Sequence, residues 1–178
     1  MKKFFLLLLF MFGCMMAPPK AFQVDPDSEI FPVEAQSVEV IPMATHFDML
    51  PHVENKLPTS PEQAVVQWAQ KHLKPSPTGN KKIWIVVNQA EMLKTDLPAD
   101  SFFQMDEESY TLNYQLSVQV RQENTLLQTL PVEGKGVVTL KKRASLASKE
   151  KGWAWLIQKM LMHLKTKMKS DLKDVFSE

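Results

Sequence analysis

The chain has 178 residues, a length that suits one domain with an appendage. Its 44 % hydrophobic and 23 % charged residues predict a packed core and exclude a disordered chain. The 21 basic and 20 acidic side chains leave a net charge of +1, which excludes a uniform field for gripping nucleic acid. The single cysteine excludes a disulfide scaffold and a cysteine-rich zinc site.

Met1-Lys2-Lys3 is a positive start, and Phe4 to Phe12 is an unbroken apolar run followed by Gly13-Cys14. As a helix the run rises only about 14 Å, against a membrane core of roughly 30 Å. It therefore reads as a secretory signal rather than a permanent span. Cuts after Ala17 or Ala21 would put Met15 or Pro19 at a position that favours small residues. Met11-Phe12-Gly13-Cys14 resembles the bacterial lipobox, in which the cysteine is acylated and becomes the mature N-terminus. Gly13 and Cys14 fit that motif, whereas the family usually carries Leu at Met11 and a small residue at Phe12. The resemblance implies a leader of residues 1–13 and lipid attachment, palmitate included, at Cys14. Ordinary signal-peptidase cleavage is the alternative. Loss of Lys2 and Lys3 with the leader gives a mature net charge of −1, so electrostatics alone would not hold the chain to an anionic membrane.

Residues 14–36 read as the lipidated cysteine and a tether, because Pro18, Pro19, Pro26 and Pro32 oppose regular structure. The domain is expected over 37–178. Ser37 to Ile41 is a short strand, and 42–58 are irregular. Ser60-Pro61-Glu62-Gln63 is a capping box with proline at the first helical position. The helix that follows carries Val65, Trp68, Ala69, His72 and Leu73 on one side and stops at Pro75 and Pro77. Lys81 to Leu93 is a strand around Ile83-Trp84-Ile85-Val86-Val87. Residues 94–108 read as an acidic loop with an apolar tip, Phe102-Phe103. Tyr110 to Arg121 alternates strictly, with Tyr110, Leu112, Tyr114, Leu116, Val118 and Val120 inward. Leu130 to Leu140 continues the pattern, and Gly134 and Gly136 mark a bulge or a close approach. From Lys149 to Phe176, with Ser148 as cap, a stripe from Trp153 to Val175 predicts a long amphipathic helix. The expected fold is α+β: a two-layer sandwich of order β-α-β-β-β-α. A mostly antiparallel four-stranded sheet carries two helices on one face.

No catalytic signature is present, so a non-enzyme is expected, without cofactor or metal. His46, His52, His72 and His163 show no zinc-site spacing, and His72 beside the apolar stripe reads as a packed histidine. Asp106-Glu107-Glu108 reads as a solvated turn. Lys141-Lys142-Arg143 with Lys149 and Lys151 reads as a charged strand end, with anionic headgroups as the functional alternative. Three apolar features are candidate partner contacts. Trp155 and Met162 fall opposite the core stripe of the last helix, Trp84 points to the other sheet face from Ile83 and Ile85, and Phe102 and Phe103 sit at a loop tip.

An acylated cysteine, a tether and a β-α-β-β-β-α domain resemble small envelope lipoproteins of Gram-negative bacteria. The lipopolysaccharide-assembly lipoprotein and the auxiliary lipoproteins of lipid-transporting ABC systems are such proteins. Val66-Gln67-Trp68-Ala69-Gln70-Lys71-His72-Leu73 is similar to a Trp-Ala…Leu helix of the auxiliary type, and Leu57-Pro58-Thr59-Ser60-Pro61 to a segment of uncharacterised proteobacterial lipoproteins. The resemblance implies a lipid-anchored accessory in the cell envelope, on the periplasmic face of a membrane, the outer membrane favoured. Its partner would be an envelope protein or lipid, with no role for nucleic acid. A periplasmic small-ligand or lipid-binding module using the open sheet face is the alternative.

Overall fold

A computed structural model describes residues 30–45, 47–99 and 106–172. The elements in order are β1 (Phe31–Val33), β2 (Ser37–Pro42), a 3-10 turn (Glu54–Lys56), α1 (Pro61–His72), β3 (Leu73–Pro75), β4 (Lys81–Leu97), β5 (Glu107–Gln122), β6 (Thr125–Lys141) and α2 (Leu146–Asp171). The α+β architecture is the expected one, with β1 and β3 added as a small parallel pair.

α1 starts where its cap dictates. The Ser60 hydroxyl accepts the Gln63 N–H at 3.2 Å, and the Gln63 side chain accepts the Ser60 N–H at 3.3 Å. Two donors that a helix start leaves orphaned are thus satisfied. Ala64, Val65, Trp68, Ala69 and His72 form the buried side. The helix ends as Leu73 turns extended and leads straight into β3. Ser60→Ala is expected to cost about 1 kcal/mol. An unmoved urea midpoint would show that the cap contributes nothing.

The main sheet has the order β2-β4-β5-β6. β2 and β4 are parallel, with Val38 beside Ile83 and Val40 beside Ile85, because α1 forms the crossover between them. β4–β5 and β5–β6 are antiparallel hairpins. The second turns on Glu123-Asn124, with Glu123 at φ 53°, the left-handed conformation that a two-residue hairpin turn needs. Ile83, Ile85, Val87, Leu112, Leu116, Val118, Val120 and Val132 line the inner face, and the α2 stripe packs on it. Trp153, Leu156, Ile157, Met160, Leu161, Leu164, Met168 and Leu172 are all buried. The glycines of β6 mark close approaches, not a bulge. A Cβ at Gly136 would stand 2.8 Å from Leu156, and one at Gly134 would overlap the Tyr114 hydroxyl. The bulges lie instead between Val87 and Gln89 and between Val120 and Arg121.

Four expectations need correction. Residues 31–35 belong to the fold and not to a tether: Val33 and Ala35 are buried, and the Ala35 backbone abuts Gly79. Pro32 is accommodated because β1 is only three residues long and has one neighbour. The 94–108 loop is shorter at both ends, since Lys94 to Leu97 pair with Tyr110 to Glu107 despite their polarity. β6 begins at Thr125 rather than Leu130. α2 begins at Leu146 with Ser145 as its cap, and Ser148 donates its N–H to the Ser145 hydroxyl at 3.3 Å. Cys14, His46, Phe102, Phe103 and the tail from residue 173 lie outside the described residues.

Candidate functional site

α2 places Trp155 and Met162 on the side away from its buried stripe, 47 % and 58 % exposed. The Lys159 ammonium stands 5.6 Å from the centre of the Trp155 ring. A cation over an aromatic face holds the ring in place without drying it. The pair is thus an apolar spot on a solvated helix surface, uncovered by any described residue.

Trp84 is different. It is half-buried, and the Arg121 guanidinium lies 4.4 Å over its ring. Arg121 is itself held by the Gln119 side chain and the Asn124 carbonyl. Trp84 is therefore a capped sheet residue and no bare contact. The open face around it is polar, with Thr111, Asn113, Gln115, Ser117 and Gln119 in one row of β5. A row of amides and hydroxyls is a poor seat for an apolar ligand.

A second apolar surface was not legible in the irregular reading of 42–58. Met43, Phe47, Met49 and Leu50 are all exposed, Met49 to 74 %, and Leu97 is exposed at the end of β4. Hydrogen bonds from Val53 N–H to Met92 and from Lys94 N–H to Pro51 pin this loop along β4. Phe47 packs on His52 with ring centres 4.5 Å apart.

The sequence reading also missed a buried charge cluster. Glu108 is 4 % exposed, yet its carboxylate meets Lys94 at 2.8 Å and Lys149 at 2.6 Å and accepts the Tyr110 hydroxyl at 2.8 Å. Tyr110 stands edge-on to Trp153. Burial pushes the Glu108 carboxyl up, but the hydrogen bonds from Lys149, Lys94 and Tyr110 outweigh it and hold the group at about 2. Burial first and then the neighbouring carboxylate raise the Tyr110 phenol. The hydrogen bond to Glu108 raises Lys94. A signal existed: Glu108 has the parity of Tyr110 and Leu112, so extending the alternation two residues back puts it inward. The cluster ties β4, β5 and α2 together, and with every partner engaged it has the character of a structural clamp.

Lys149 is thereby taken out of the expected basic patch. Lys141, Lys142 and Arg143 remain at the β6–α2 turn, where with Asp106 and Glu107 they line an open groove of about 860 Å³. His72 is buried and stacks near Trp68, and His163 shares a 2.8 Å hydrogen bond with Tyr114. His52 meets Glu54 at 3.4 Å, and Glu54 accepts the Met92 N–H at 2.6 Å. Among the described residues no group of three potential ligands could hold a metal ion, and no helix is long and apolar enough to cross a membrane.

No protein-family model matches the chain, and no curated protein does. Solved structures do match in part. A minor lipoprotein from Acinetobacter baumannii is 9 % identical with a TM-score of 0.38, over 74 % of this chain and 87 % of that one. Rare lipoprotein B from Shewanella oneidensis is 9 % identical at 0.39, over 75 % and 92 %. An uncharacterized lipoprotein B from Nitrosomonas europaea is 12 % identical at 0.45, over 83 % and 90 %. These neighbours are lipoproteins of Gram-negative bacteria. Likenesses this distant transfer neither ligand nor partner.

Proposed function

We propose that this chain is a non-enzymatic envelope lipoprotein, anchored by acylated Cys14, that serves a protein or lipid assembly or transport system as an accessory. The observation that carries the partner role is the exposed Trp155–Met162 pair. A large aromatic side chain left uncovered on a charged helix is what a docking contact requires, and buried tryptophans dominate many interfaces. The anchor rests on the leader: basic start, apolar run, Gly13-Cys14.

The test has two arms in cells. Cys14→Ala should abolish acyl labelling and leave an uncleaved or soluble chain. Normal processing with unchanged membrane fractionation would overturn the anchor. A photo-crosslinker at exposed position 159, one turn from Trp155, should capture a discrete partner, and one at exposed Asn124 in the β5–β6 turn should not. Trp155→Ala should weaken that capture by about 2 kcal/mol with thermal stability nearly unchanged. Equal capture from both positions would overturn the contact.

A further inference from the structure

β6 is an edge strand of 17 residues, and among the described residues nothing pairs with its outer side. Which of its backbone groups are free follows from the opposite edge of the sheet. The Lys81 and Val87 carbonyls of β4 point toward β2, accepting the Gln36 and Met43 N–H groups. The even-numbered neighbours Trp84 and Val86 therefore bond β5 through Gln119 and Ser117. The odd residues of β5 are thus spent on β4, and its even residues bond β6. It follows that Thr129, Pro131, Glu133, Lys135, Val137 and Thr139 turn their backbone groups outward. Pro131, which has no N–H to give, sits where β5 asks for none.

These same residues put their side chains on the open face, and all six are exposed. Glu133 and Lys135 have no side-chain partner among the described residues. Such an edge invites pairing, and a proline and charges restrict what it accepts. We propose that β6 pairs antiparallel with β6 of a second copy, about a two-fold axis at Gly134, to give one continuous sheet.

The register is selected by the charges. With the axis at Gly134, Glu133 lies opposite Lys135 of the second copy and Lys135 opposite its Glu133. Thr129 then faces Thr139, and Pro131 faces Val137. A shift of the axis to residue 133 sets glutamate on glutamate, and a shift to residue 135 sets lysine on lysine. Like charges directly opposite destabilise a strand pair, and unlike charges stabilise it. In the chosen register Pro131 still accepts through its carbonyl and loses only the donor it never had. Gly134 meets its own copy at the axis, where strands come within about 4.5 Å. The contact is isologous and closes at two chains.

Sedimentation of the full chain, purified in a mild detergent, tests this. The wild type should form a dimer at micromolar concentration. Glu133→Lys sets lysine on lysine twice, and Lys135→Glu sets glutamate on glutamate twice. Each should weaken the dimer about tenfold or more. Both positions are exposed, so the circular dichroism and melting of each variant should match the wild type. An equimolar mixture of the two variants restores both unlike pairs and should dimerise as the wild type does. A monomeric wild type, single variants that dimerise as well as wild type, or a mixture that stays monomeric would each overturn the proposal.

Discussion

Glu108→Gln should destabilise the domain by about 3 kcal/mol, because two partly buried ammonium groups lose the carboxylate that compensates them. Lys94 keeps Asp96 at 3.2 Å, whereas Lys149 has no second carboxylate within the cluster. The effect has a defined pH dependence. The folded carboxyl titrates at about 2, below its ordinary 4.5. As pH falls from 4.5 toward 2 the unfolded chain takes up the proton first. The stabilisation is therefore complete above 4.5 and lost across that window. Urea midpoints at pH 7 and pH 3 should thus differ more for the wild type than for Glu108→Gln. An equal gap between the two proteins at both pH values would mean that the carboxylate charge is not the source.

A chain ending at Ser145 should fail to fold. α2 and its C-cap Leu172 bury eight large side chains, from Trp153 to Leu172, against the inner face of the sheet. At roughly 1.5–3 kcal/mol for each buried apolar side chain, their loss amounts to about 12–24 kcal/mol, on the order of or above the whole 5–15 kcal/mol by which domains are typically stable. The truncated chain should aggregate or be degraded, and a soluble, cooperatively melting product would refute the two-layer packing. Leu164→Ala, fully buried in the same stripe, is the graded form of the test, with a cost of about 2–5 kcal/mol.

Local patterns alone determined the α1 start, the inward set of β5, the α2 stripe and the outward placement of Trp155 and Met162. The reason is that caps and alternation act within a few residues, and one buried face enforces them. Tertiary contact decided the rest. Pro32 discourages structure locally, yet β1 forms because β3 lies beside it. The polar stretch from Lys94 to Leu97 is strand because β5 supplies the ladder. Trp84 reads as an exposed aromatic until Arg121, 37 positions away, folds over it. Glu108 reads as a turn acid until Lys94 and Lys149 converge on it. Each of these outcomes depends on partners distant in the chain, and a charge or an aromatic ring does not specify its partner through its own neighbours.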